Sequence, residues 1–229
     1  MKFILIFIPS MIILSSHILF AGGEEVITII PGSSDENRYR FFDINFFPID
    51  IKKEFRFYNA DTIPHRLIIT KQDDQSFQYK SDIIDPKKSY SVKLDKNGIY
   101  DFLSPQYSWM KGQIFVNDNV MAKTKKLDTM NVQLTWIEDN LQKDKYHFKI
   151  LFTDKNSNEN LEHVDYIFTI KNSEGKNVHQ SKFTHSGWGA EYSESTLDPD
   201  NEYVAEITVN GLLFQPIKVE KAIFEINNS

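Results

Sequence analysis

The stretch Tyr100-Asp101-Phe102-Leu103-Ser104-Pro105-Gln106-Tyr107-Ser108-Trp109-Met110-Lys111-Gly112 crowds hydroxyl, phenol, indole and thioether groups into one tight loop between two apolar segments. Loops of this build often hold a metal, and a soft metal in such a loop wants sulfur and imidazole donors. The chain contains no Cys, which removes thiolate ligands, thiol nucleophiles and disulfides together. A second polar group lies further on. His163-Val164-Asp165 has two-residue spacing, so both polar side chains face one side of a strand, opposite its apolar set. His185 sits in Phe183-Thr184-His185-Ser186-Gly187-Trp188-Gly189, a loop with two glycines. If that loop folds over the strand, His163, Asp165 and His185 form a candidate metal site. The alternative is structural: Asp165 orients an imidazole and fixes the loop to the sheet. His147 and His179 are expected on the solvent side of their strands. Hydrolytic chemistry has little support, because neither G-x-S-x-G nor H-E-x-x-H occurs. Ser104 has no base partner visible in the sequence.

These groups need strands to position them. Val26-Ile27-Thr28-Ile29-Ile30 reads as a strand closed by a Pro31-Gly32-Ser33-Ser34 turn, and Glu54-Phe55-Arg56-Phe57-Tyr58 alternates apolar with polar. His65-Arg66-Leu67-Ile68-Ile69, the alternating Tyr90, Val92 and Leu94, and the two segments around the opening loop complete roughly seven strands in about 90 residues. After residue 130 the pattern resumes: Phe148, Ile150 and Phe152 share one face, as do Val164, Tyr166, Phe168 and Ile170. Leu212 to Ile217 and Ala222 to Ile226 read as the last two strands. Residues 118–129 are polar and locally basic at Lys123-Thr124-Lys125-Lys126, which reads as a solvated linker. The expected architecture is all-β: an N-terminal Greek-key barrel over 24–117, a linker over 118–129, and a C-terminal immunoglobulin-like sandwich over 130–229.

Residues 1–23 read as an export signal. Lys2 supplies the positive start, residues 3–20 are mostly apolar, and Ala21-Gly22-Gly23 offers small residues before Glu24-Glu25. An uncleaved membrane anchor is the competing reading. Without 1–23, 25 basic residues face 32 acidic ones, a net charge of −7. An acidic chain of this kind is a poor partner for nucleic acid.

Three segments carry a family resemblance. Asn59-Ala60-Asp61-Thr62-Ile63-Pro64-His65 resembles the N-x-D-x-x-x-H stretch that presents the first copper ligand in cupredoxins, the plastocyanin and azurin superfamily. Ser81-Asp82-Ile83-Ile84-Asp85-Pro86-Lys87-Lys88-Ser89 resembles that family's S-x-x-I-x-P-G-x-S stretch, with Lys87 in place of Gly. The opening loop resembles Y-x-F-x-C-x-x-H-P-x-M-x-G. The resemblance implies the fold of residues 25–117 and places the first imidazole at His65 and the axial thioether at Met110. It also places Ser104 at the Cys position and Tyr107 at the second His position. A type-1 copper centre needs two imidazoles and a thiolate, with a weak axial thioether, so the resemblance argues for the fold and against that chemistry. Residues 130–227 are similar to the C-terminal β-domain of exported cupredoxin-like proteins of ammonia-oxidising archaea, through His163-Val164-Asp165-Tyr166, Thr184-His185-Ser186 and Gly211-Leu212-Leu213-Phe214-Gln215-Pro216-Ile217.

The expected function is therefore a non-catalytic binding or structural module at the cell surface, with copper or a cell-surface protein as candidate partner. No cofactor is firmly implied. The alternative is a copper-binding or copper-handling protein that uses His65 with Met110, or His163, Asp165 and His185; an electron carrier ranks below both.

Overall fold

A computed structural model describes residues 25–139 and 142–226. The expected signal segment 1–23 lies outside the described residues. Among those described there is no helix, and the chain builds two β-sandwiches.

The first sandwich uses eight strands: β1 (Glu25–Ile29), β2 (Phe46–Asp50), β3 (Glu54–Asn59), β4 (Ile68–Lys71), β5 (Asp74–Lys80), β6 (Ser89–Lys93), β7 (Gly98–Leu103) and β8 (Lys111–Asn117). One sheet has the order β1-β3-β6 and the other β2-β8-β7-β4-β5. The pairs β1/β3 and β2/β8 are parallel; the remaining pairs are antiparallel. Alternation drives the assembly: Phe55 and Phe57 of β3, and Tyr100 and Phe102 of β7, turn inward and are fully buried. Phe102 stands edge-on to Phe42 at 4.9 Å and to Phe57 at 5.1 Å, a favoured aromatic geometry. Gly112 sits opposite Phe102 across β7 and β8. A Cβ there would lie 2.4 Å from the Phe102 ring and 2.6 Å from the Asn45 carbonyl oxygen. Gly112→Ala is therefore expected to cost about 1–3 kcal/mol by overpacking, read as a lower urea midpoint with an unchanged slope.

The second sandwich uses β9 (Met121–Lys126), β10 (Asn131–Glu138), β11 (Lys145–Thr153), β12 (Val164–Asn172), β13 (Asn177–Gln180), β14 (Thr184–Ser186), β15 (Ala190–Thr196), β16 (Tyr203–Leu212) and β17 (Gln215–Ile226). Its sheets run β15-β11-β10-β9 and β13-β12-β16-β17, with β14 also paired to β12. The inward set Val164, Tyr166, Phe168 and Ile170 is buried as the alternation predicts, against Phe148, Ile150 and Phe152.

Two sequence expectations change here. The 118–129 segment expected as a linker contains β9, an edge strand paired with β10 from Asn131↔Lys126 to Trp136↔Met121. Its lysines mark an edge guarded against further pairing, and Lys123 reaches the Glu225 carbonyl at 2.9 Å. Only Asp118, Asn119 and Val120 separate β8 from β9. The segment from Leu212 to Ile217, expected as a separate strand, is instead the hairpin between β16 and β17, turning at Leu213 and Phe214.

The sandwiches pack on each other. Phe46 stacks on Tyr192 at 4.1 Å and Phe115 on His147 at 4.0 Å. Arg40 grips Glu191 through two bonds of 3.2 and 3.0 Å. Lys149 of β11, almost fully buried, pairs with Glu25 at 2.6 Å and stands 4.5 Å above the Phe47 ring. His147, expected in solvent, is 2% exposed in this interface. Its Nε2 meets Asp139 at 3.0 Å and its Nδ1 lies 2.6 Å from the Tyr192 hydroxyl. Burial pushes the imidazole below its ordinary value, against the opposing pull of Asp139, so it is held neutral at pH 7. His179, also expected in solvent, is half-buried with its ring beside Phe168.

Candidate functional site

His65 lies three residues before β4 and bridges Ile84 through the backbone. Asn59, fully buried at the end of β3, fixes the approach: its amide donates to the carbonyls of Ile63 and Ile84, each at 2.8 Å. Its side-chain oxygen accepts the Asp61 N–H at 2.9 Å. Asp61 then accepts from the Gly32 and Thr62 N–H groups, both at 2.8 Å, and meets His65 Nε2 at 2.9 Å. Burial pushes the Asp61 carboxyl up, but its bonds to Gly32, His65 and Thr62 outweigh that and hold it below the ordinary value. An ionised Asp61 fixes a neutral His65 as the Nε2–H tautomer and leaves the Nδ1 lone pair free. That Nδ1 is buried and has no hydrogen-bond partner, in a residue with no exposed surface.

The loop from β7 to β8 closes over this end. Ser104 N–H donates to the Met110 carbonyl at 2.9 Å and Met110 N–H to the Tyr107 carbonyl at 2.9 Å, so two turns fold the loop tightly back. Met110 is fully buried in the first core. Tyr107 meets the His65 ring edge-on at 5.6 Å and leans on Trp109 at 5.5 Å. Trp109 is anchored by its indole N–H to the Ser33 carbonyl at 3.2 Å. The Ser104 hydroxyl, like His65 Nδ1, is buried without a partner. Lys87, standing where the resembling motif has Gly, takes φ +63°, a conformation that favours Gly.

His65, Ser104, Tyr107 and Met110 therefore gather at one end of the first sandwich. What they can do is limited by donor type. Type-1 copper requires a thiolate for its short, strong bond, and Ser104 offers a neutral hydroxyl. The second imidazole position holds a phenol, which binds copper only as phenolate. The residues do not fit a type-1 centre.

The other candidate residues are also brought together. The register of β14 on β12 sets His185 directly opposite Asp165. His185 Nδ1 lies 2.6 Å from Asp165 Oδ1, and His185 Nε2 lies 3.1 Å from His163 Nδ1. Asp165 faces His185 rather than converging with the two imidazoles. Among the described residues, no group of three or more His, Cys, Asp or Glu side chains is arranged to hold a metal.

Sequence reasoning missed the interface group. His147 shares its face of β11 with Lys145, Lys149 and Thr153, a polar set that reads as solvent-facing, whereas the second sandwich turns that face against the first. Asp139 and Tyr192 carry no motif, so only the fold brings them to His147.

The first sandwich has the all-β architecture that the sequence resemblance implies, and Ser104 and Tyr107 occupy the positions where that resemblance expects Cys and His. The chain matches no protein-family model and no curated protein. Among solved structures it is similar to a purple cupredoxin from Nitrosopumilus maritimus, with TM-score 0.38, 17% identity, and 41% of this chain and 100% of that chain covered. It is also similar to the Cu(I) form of a mutant of amicyanin, with TM-score 0.35, 16% identity, and 43% of this chain and 86% of that chain covered.

Proposed function

We propose that the protein is a non-catalytic binding or structural module acting outside the cytoplasm, in which the cupredoxin-like sandwich serves as a scaffold rather than an electron carrier. The observation that carries this reading is the loop end itself: Ser104 stands where the sequence resemblance expects the thiolate, Tyr107 packs on the His65 ring with Trp109 behind it, and Met110 is buried in the first core. The signal-like segment 1–23 and the acidic balance of the remainder support a place at the cell surface. The contacts between the sandwiches, through Phe46, Phe115, His147 and Tyr192, favour a single rigid unit that presents surfaces from both.

A second reading rests on a specific observation. The buried Nδ1 of His65, which has no hydrogen-bond partner, and the buried thioether of Met110 on the loop that closes this end favour capture of a single Cu(I) ion by His65 with Met110. Titration with Cu(I) against a competing chelator separates the two. The scaffold reading expects the same uptake from the wild type and from His65→Ala. Stoichiometric uptake that His65→Ala abolishes would establish the copper-handling reading instead.

A further inference from the structure

The tip of the second sandwich gathers features that nothing in the first sandwich requires. His163 (φ +56°), Leu213 (φ +51°) and Phe214 (φ +63°) are all held in the left-handed region, which is strained for residues that are not Gly. They are tied together: the Leu213 N–H donates to the His163 carbonyl at 2.9 Å. Phe214, 67% exposed, lays its ring 3.9 Å from the His163 ring and 5.5 Å from the His185 ring. Gly211 keeps the floor open, since a Cβ there would lie 2.3 Å from Asp165 Oδ2. The strained backbone thus serves to hold two imidazoles side by side against an aromatic wall.

The geometry points to a divalent transition-metal site made by His163 Nδ1 and His185 Nε2, for an ion of the Zn(II) or Cu(II) class, with Asp165 as the outer carboxylate. Two imidazole nitrogens bound at 2.0–2.1 Å lie about 2.9 Å apart at a right angle and about 3.3 Å apart at the tetrahedral angle. The observed separation is 3.1 Å, between those limits. Asp165 accepts the Nδ1–H of His185 at 2.6 Å, which fixes the tautomer and turns the Nε2 lone pair toward His163. This carboxylate–imidazole–metal order is how outer ligands orient inner ones. In the metal-free state His163 Nδ1–H donates into that same lone pair; on binding, His163 carries its proton on Nε2 and presents Nδ1 to the ion. Water completes the coordination. The half-exposed position of His185 leaves the ion an entry path.

Zn(II) titrated into the protein in a non-coordinating buffer tests the site, followed by calorimetry and by 15N-imidazole spectra. Stoichiometric binding is expected, with His163 Nδ1 and His185 Nε2 shifting together. Affinity should fall at least ten-fold in His163→Ala and in His185→Ala, and about ten- to hundred-fold in Asp165→Asn. It should be unchanged in His65→Ala, which keeps this site separate from the first sandwich. If saturating Zn(II) leaves those two nitrogens unshifted in the wild type, or if both His variants bind as tightly as the wild type, the site does not exist. The wild-type spectra decide the matter even where a variant folds poorly.

Discussion

Ser104→Cys combined with Tyr107→His is expected to turn the closed end of the first sandwich into a copper centre with an intense visible absorption. Two of the four donors are already in place: His65, with its Nδ1 lone pair fixed by Asp61, and the buried thioether of Met110. The other two positions lie on the same tightly turned loop, held by the Ser104–Met110 and Met110–Tyr107 backbone bonds. Supplying a thiolate and a second imidazole completes the trigonal set with a weak axial sulfur. The Cys substitution should also fold well. The Ser104 hydroxyl is buried without a partner, which costs about 1–3 kcal/mol, and a buried thiol carries less of that penalty. Tyr107→His alone should give no such band, because the strong chromophore is the copper–thiolate bond. A folded double variant that takes up Cu(II) with no intense band would mean that His65 and Met110 are not aimed at a common point.

Asp43→Asn is expected to raise stability by about 2 kcal/mol at pH 7 and to change it little near pH 4. Asp43 is 4% exposed and accepts the Thr28 N–H at 2.7 Å, in place of a regular strand bond beside the Ile29↔Phe42 bridge. Burial pushes its carboxyl up to about 6, against the bonds from Thr28 and Ile44 and the charge of Arg40. The folded state therefore holds the proton more tightly than the unfolded chain, whose carboxyl titrates near 3.8. The stability that this proton confers is complete below 3.8 and is lost as pH rises through about 6. A displacement of about two pKa units corresponds to roughly 3 kcal/mol, part of which Asn forfeits by losing one acceptor. Urea unfolding of both proteins from pH 4 to pH 7 measures the difference. A gap that stays constant across that range, or a less stable variant at pH 7, would contradict the burial argument.

The first sandwich was legible because its signals are local. The alternation in β3, β6 and β7, and the turn at Pro31-Gly32-Ser33-Ser34, needed no tertiary information. His65, Ser104, Tyr107 and Met110 lie in short segments with fixed spacing, and the fold sets Tyr107 against His65 and ties Ser104 to Met110 through the backbone. The carboxylate–imidazole pair of Asp165 and His185 followed from period-two spacing and a glycine-bearing loop. What stayed hidden depends on the whole fold. β9 looks like a linker because an edge strand protects itself with lysines. Leu213 and Phe214 look like strand residues because large apolar side chains seldom occupy a tight turn with positive φ. His147 looks like a solvent residue because the surface that buries it belongs to the other sandwich.

The end of the first sandwich that carries His65 and Met110 is expected to hold no copper ion. Copper content after expression with added copper and purification without chelator tests it most directly, in a His163→Ala/His185→Ala background that silences the second sandwich. Copper far below stoichiometric is expected. Stoichiometric copper in that background, lost on adding His65→Ala, would contradict it.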